Sequence, residues 1–251
     1  MQKEQFSVNN GKFNLVGEKY IPINPKGKPM IVCHDLFSNY KELNTYIDYF
    51  CNDEGYTVYA FDFGGMTKKE NQDYLTIENG LKDIQSIINK VDERKDELSL
   101  FGVGHGAFLA LLYASKNPAA IAKVLCTSPT LSIPDMARKG NLPTGKFKPD
   151  AIEETWKPKL FTKYSHLYAK EAVTIDIDKV LKQVLCPVCM VFGGLDELVS
   201  ATYGRKALEE LSKDSFVYFI KKASHSFRLK DELEAIGYFK DFLKEKRGLG
   251  I

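Results

Sequence analysis

The segment Leu100-Phe-Gly-Val-Gly-His-Gly-Ala107 carries the strongest chemical signal in the chain. It lies where an apolar run, residues 98–103, meets a helix-forming stretch, 107–116. A nucleophile carried on so tight a strand-to-helix turn needs small residues two before and two after it, because larger side chains collide there. Gly102 and Gly106 meet that need, and the residue between them is Gly104. The turn is present and the attacking side chain is absent. Taking His105 as the nucleophile would put Val103 at a position that must be small. A dinucleotide-binding G-x-G-x-x-G reading would have Ala107 as its third glycine. No acidic strand end follows about 20 residues later to hold a ribose. A glycine turn used for packing alone stays open on this segment by itself.

Two downstream residues are what a nucleophile on this turn would require. Val191-Phe-Gly-Gly-Leu-Asp-Glu197 places Asp196 just past a strand end, and Ala223-Ser-His-Ser-Phe227 places His225 in the loop after the next strand. In such a constellation the acid holds the imidazole tautomer and the histidine moves the proton. Nucleophile site, acid, then base is the chain order of the α/β-hydrolases.

Positioning these groups takes a sheet. Apolar runs predict strands at 29–33, 56–63, 98–103, 121–126, 188–192 and 216–220, after a hairpin over 12–23. Amphipathic spacing predicts helices near 41–51, over 75–91 with Leu81, Ile84, Ile87 and Ile88 on one face, and at 107–116, 202–211 and 231–246. Strands alternating with helices imply a mostly parallel, twisted sheet covered on both faces, an α/β class. Regularity fails after Pro129 until about residue 179. The expectation is one domain over 1–251 with a small cap insertion at about 130–180, over the sheet end where such folds bind ligands.

Composition excludes several function classes. The 251 residues carry 35 Lys and Arg against 33 Asp and Glu, so a dedicated nucleic-acid binder is not expected. No apolar run approaches the roughly 20 residues of a membrane span, and residues 1–12 lack the apolar stretch of a signal peptide. A cytoplasmic chain with no membrane partner is expected. Its five cysteines, Cys33, Cys51, Cys126, Cys186 and Cys189, read as buried reduced thiols. Cys186-Pro-Val-Cys189 straddles a strand start instead of opening a helix, and no second ligand pair accompanies it. No metal and no cofactor are therefore expected. Asp176 and Asp178 read as a solvated face, and His166 and Tyr168 as cap residues that line a pocket or pack on one another.

Over nearly its whole length the sequence resembles the cinnamoyl (feruloyl) esterases of the α/β-hydrolase superfamily. The likeness rests on the turn, the acid–base pair, Thr127-Ser-Pro-Thr-Leu-Ser-Ile-Pro-Asp-Met-Ala-Arg-Lys-Gly140, Cys186-Pro-Val-Cys-Met-Val-Phe-Gly193, and the cap positions Trp156 and Tyr164. It implies an α/β-hydrolase fold and an ester or acid ligand with a bulky, aromatic acyl group. Asp35, Trp156 and Tyr164 would face that ligand. It also implies an oxyanion hole made by the backbone N–H groups of Leu36 and His105. Three departures stand out: Gly104 replaces the family's serine, His34-Asp35 replaces His-Gly, and Asp62-Phe-Gly-Gly-Met-Thr67 keeps Gly65 but loses the second glycine to Thr67. The first two resemble the N-myc downstream-regulated proteins, a non-catalytic branch of the fold, which lack the acid and base.

Without an Oγ at 104, His225 has no alcohol to activate and no acyl-enzyme can form. Loss of the nucleophile costs about 10⁶ in kcat. A carboxylate at Asp35 opposes a developing oxyanion. Three readings remain: a protein of esterase lineage that is inactive or strongly impaired and keeps a ligand or partner surface (a homodimer included), a hydrolase using water or another nucleophile with His225 and Asp196, or a scaffold with a filled pocket. A serine placed at 104 is expected to fit between Gly102 and Gly106.

Overall fold

The structure, a computed structural model, describes residues 1–65, 75–143, 145–152 and 166–244. Trp156, Tyr164 and Thr67 lie outside the described residues, so the expectations placed on them have no structural counterpart here.

Eight strands form one sheet: β1 (Gln2–Asn9), β2 (Asn14–Ile21), β3 (Lys28–Cys33), β4 (Tyr56–Phe61), β5 (Ser99–Val103), β6 (Lys123–Thr127), β7 (Val188–Gly193) and β8 (Phe216–Ile220), ordered β1-β2-β4-β3-β5-β6-β7-β8. From β4 to β8 every neighbouring pair is parallel, whereas β1 and β2 join antiparallel at one edge. The central strands are short, almost wholly buried apolar runs, as a sheet covered on both faces demands. Alternation then sends Ile31 and Leu100 to one core, and Val32 and Phe101 to the other.

The helices divide accordingly. The first core is covered by α2 (Ile77–Lys90), α3 (Gly104–Lys116), α4 (Ile133–Arg138), α5 (His166–Thr174), α6 (Ile177–Gln183) and α7 (Ala201–Glu210). The second is covered by α1 (Asn44–Asp48) and α8 (Leu229–Lys244). Thr76 caps α2 by accepting from the Asn79 N–H at 3.0 Å. Among the described residues, no helix is long and apolar enough to cross a membrane.

Four expectations need correction. The hairpin runs over residues 2–21, not 12–23, because β1 is a mostly exposed polar edge strand that hydrophobic alternation cannot reveal. The helix near 41–51 is a 3₁₀ turn (Tyr40–Leu43), one α turn and a π turn (Tyr49–Asp53). α3 begins at Gly104, three residues early, since the turn demands helical backbone where glycines suggest none. Residues 130–180, where regularity is expected to fail, hold among the described residues α4, α5, the start of α6 and a two-residue ladder between Asn141–Leu142 and Gly145–Lys146.

Candidate functional site

All the expected groups outside the cap emerge at the carboxyl ends of parallel strands. Because β3 and β5 are neighbours, with Cys33 paired to Gly102, the loop after β3 lies against the β5–α3 turn. A Cβ at Gly102 would strike the backbone of Ala107, and one at Gly106 the carbonyls of Cys33 and His34. The turn therefore tolerates only glycine at both flanks. Gly104 sits at φ +53°, the left-handed backbone that an elbow forces on its central residue.

The space a side chain at 104 would enter is occupied. A Cβ built there falls on the carboxyl group of Asp35. Asp35 Oδ1 accepts from the backbone N–H of Leu36 and from that of His105, each at 2.7 Å. The two donors expected to form an oxyanion hole thus converge on one carboxylate oxygen. Two expectations are corrected here. Asp35 does not merely oppose charge in the hole but fills it, and a serine at 104 cannot fit while Asp35 stays.

His34 fixes that carboxylate's backbone. The buried ring accepts from the Phe63 N–H at Nε2 (3.1 Å), which leaves Nδ1–H to donate to the Asp35 carbonyl at 2.7 Å. Burial lowers the His34 pKa, so the neutral tautomer this pattern needs is maintained. Phe37, at φ +65°, adopts the left-handed backbone in the same loop.

The acid–base half comes from β7 and β8, also neighbours. A Cβ at Gly193 would meet the carbonyls of Ala223 and Ser224, so glycine there lets the two loops touch. Leu195 N–H then donates to the Ala223 carbonyl at 2.9 Å. Asp196 Oδ1 accepts from the N–H groups of Leu198 and Val199 at 2.8 Å each, while Oδ2 accepts from His225 Nδ1 at 2.8 Å. His225 Nε2 lies 3.7 Å from Asp35 Oδ2. Asp35, His225 and Asp196 form one line.

Electrostatics couples the three. Burial alone would lower the His225 pKa, but hydrogen bonds and charge from Asp196 and Asp35 outweigh it and raise the pKa to about 9. Burial alone would raise the Asp35 pKa. The His225 contact and the N–H groups of His105 and Leu36 outweigh that, holding it below the ordinary carboxylate value. The raised pKa of His225 and the lowered one of Asp35 favour an imidazolium beside the Asp35 carboxylate at neutral pH.

A pocket of about 270 Å³ opens on this line, bounded by Asp35 and His225 with Leu36, Phe37, Glu42, Tyr46, Phe227 and Glu232 among its lining. Two larger depressions, both bordered by Glu78 and Glu171, contain none of these groups. Tyr46 and Thr127 also line the pocket. Their buried hydroxyls neighbour one another, and neither makes a hydrogen bond of normal geometry. Neither had a signal in the sequence, whereas the role of His34 was hidden in a motif read for Asp35.

Other candidates resolve into structure. Asp176 caps α6 by accepting from the N–H groups of Asp178 and Lys179, and Asp178 pairs with Lys206 at 2.6 Å. Cys186 and Cys189 are buried free thiols whose pKa values burial raises. Tyr168 is buried with its hydroxyl 3.3 Å from His105 Nδ1. It packs on that ring instead of lining a pocket.

The model of one protein family, Hydrolase_4 (serine aminopeptidase, S33), matches residues 24–154. No curated protein matches the chain. Among solved structures, Est1E from Butyrivibrio proteoclasticus is similar at 21% identity and TM-score 0.82, over 96% of this chain and 98% of its own. The same enzyme with bound ferulic acid matches at 22% identity and TM-score 0.82, over 95% and 98%. Mouse alpha/beta hydrolase domain-containing protein 10 matches at 20% identity and TM-score 0.75, over 96% and 98%. At these identities the likeness shows the fold, that of an α/β-hydrolase.

Proposed function

Because the chain belongs to the Hydrolase_4 family, we propose that it is an α/β-hydrolase of ester-hydrolase lineage in which serine acyl transfer has been lost. The observation that carries this reading is the Asp35 carboxylate, seated where the nucleophile's side chain would stand and bonded to both oxyanion donors. Removing a serine nucleophile ordinarily leaves roughly 10³–10⁴ over water from oxyanion contacts and binding. Here those contacts are taken as well, so even that remainder has no source. A water attacking an ester directly from the 104 position meets the same obstacle, since the carboxylate fills the space.

A second reading is favoured by the line of three side chains. A hydrolase needs a nucleophile, a base and a group orienting the base, and Asp35, His225 and Asp196 occupy those three places in order. The protein is then a hydrolase with a relocated nucleophile, and serine chemistry remains lost.

Hydrolysis of p-nitrophenyl acetate and butyrate tests the main reading, together with a fluorophosphonate probe. The expected result is no burst and no labelled serine. A stoichiometric burst or a labelled serine would overturn it.

A further inference from the structure

We propose that Asp35 is a carboxylate nucleophile that attacks the saturated carbon of a small, uncharged alkyl electrophile, forming an ester on its own side chain that the site then hydrolyses. This rests on the relocated-nucleophile reading above and names its substrate class. Three observations point the same way.

The first is how the two carboxylate oxygens are used. Oδ1 takes the N–H groups of Leu36 and His105, while Oδ2 takes neither and lies 3.7 Å from Nε2 of His225, which lines the pocket together with Asp35. An enzyme that attacks an acyl carbon with a side-chain nucleophile needs its oxyanion donors free for the substrate's oxygen. Here they are committed to the nucleophile's own oxygen. The one tetrahedral intermediate they can stabilise is formed when water adds to the carboxyl carbon of Asp35 itself. Attack on an ester carbonyl is also unproductive, because it yields a mixed anhydride whose carboxylate leaves far more readily than an alkoxide. Attack on a saturated carbon has no such return path.

The second is charge. Asp35, Glu42 and Glu232 border the pocket, which disfavours an anionic ligand, and 270 Å³ suits a small one. The side chains of Leu36, Phe37 and Phe227 among its walls suit an uncharged alkyl group.

The third is the histidine. Asp35 Oδ2 donates an electron pair to the carbon, the bond to the leaving group breaks, and that group departs with its pair as an anion. Esterification makes Asp35 neutral, so His225 keeps only Asp196 as a charged partner and releases its proton to solvent. Neutral Nε2 then takes a proton from water, whose oxygen adds to the Asp35 carboxyl carbon. Oδ1 carries the negative charge against the two N–H groups. Collapse expels the alcohol with the original Oδ2, protonated by His225 or solvent, and leaves the water's oxygen in the carboxylate. For a halide, net, one electrophile and one water give one alcohol, one leaving anion and one proton; for an epoxide the opened oxygen stays on the carbon chain and takes the proton that His225 releases, so one epoxide and one water give one diol.

The test uses the full chain with 1-bromobutane and, separately, 1,2-epoxybutane, followed by mass spectrometry of the peptide containing residue 35. In His225→Gln the hydrolysis step has no base, so one butyl or hydroxybutyl group should accumulate on Asp35. In heavy-oxygen water the wild-type Asp35 carboxylate should gain the label during turnover, and Asp35→Ala should lose both signals entirely. Which probe reacts distinguishes a halide-type from a strained-ether leaving group. If neither probe modifies Asp35 in a folded His225→Gln protein and no heavy oxygen enters the wild type, the carboxylate is a structural plug and this inference fails. The loss of serine chemistry would then still stand. Labelling of a serine by fluorophosphonate would overturn both.

Discussion

The two halves of the site have had different fates. On the β7–β8 side, Asp196 and His225 are bonded at 2.8 Å, and Asp196 is anchored by two backbone N–H groups. That is the arrangement a serine hydrolase would use. On the β3–β5 side the turn has an elbow's backbone, down to the left-handed φ at Gly104, but the Asp35 carboxylate takes the space of a side chain there and, in the reading proposed above, that half has been rebuilt around it. A proton-moving pair retained beside an altered attack position means that the imidazole still has a partner. The halves are joined through Asp35 Oδ2, and changes on one side should therefore be felt on the other.

The largest expected effect comes from reversing the rebuilt half. Gly104→Ser combined with Asp35→Gly clears the overlap and frees both N–H donors. Hydrolysis of p-nitrophenyl butyrate should rise at least 10²–10³-fold over the parent, the scale of oxyanion contributions. Gly104→Ser alone should stay inert and lose about 1–3 kcal/mol in urea unfolding, the usual cost of overpacking. Comparable activity in the single and double variants would show that Asp35 does not hold the site.

Breaking the intact half should cost stability. Asp196→Ala leaves His225 Nδ1 and the N–H groups of Leu198 and Val199 without their acceptor. A loss of about 3–5 kcal/mol is expected, as for removing one partner of a buried pair. A loss under about 1 kcal/mol would show that the pair is not coupled to the fold.

Titration sharpens the link between halves. His225 has a folded pKa raised to about 9, above its ordinary 6.5. Its contribution, roughly 3 kcal/mol at about 1.4 kcal/mol per unit, is fully present below pH 6.5 and lost as pH rises through 9. Asp35 works in the opposite sense. Its folded pKa is lowered, so its contribution is present above the ordinary carboxylate value and fades as pH falls through the folded one. Melting temperature should therefore decline between pH 6.5 and 9. In Asp35→Asn the imidazole resonance should titrate well below 9. An unchanged titration would mean that the 3.7 Å contact carries no charge coupling.

Smaller effects belong to the loop's support and, last, to an exposed ion pair. His34→Ala removes the ring that joins the Asp35 carbonyl to the Phe63 N–H. A loss of about 1–3 kcal/mol is expected from leaving the Phe63 N–H unsatisfied, while the Asp35 carbonyl keeps the Ser38 N–H at 3.3 Å. In the same denaturation series Lys206→Ala, at an exposed pair with Asp178, should cost under about 1 kcal/mol.

The sheet and the intact half were legible in the sequence for the same reason. Buried parallel strands are short apolar runs, and Asp196 and His225 stand directly after two of them. β1 was not legible, because a mostly exposed edge strand with only Phe6 and Val8 on its inner face has too few apolar residues to show a period. The rebuilt half was only half legible. Gly104 and Asp35 are plain as departures from an esterase pattern, but their meeting is a property of the loop. It depends on the β3–β5 pairing, the His34 clamp and the positive φ at Phe37, none of which has a sequence period.

The overlap between a Cβ at 104 and the Asp35 carboxylate also constrains history. The two states, serine with an open hole and carboxylate with a filled one, exclude each other. A lineage moving one substitution at a time must therefore empty position 104 before the carboxylate can seat, and must withdraw the carboxylate before a serine can return. The second step works as a ratchet: once Asp35 is seated, a simple reversion at 104 is punished and not rewarded. Chains that have passed this gate should be recognisable by carrying both residues together.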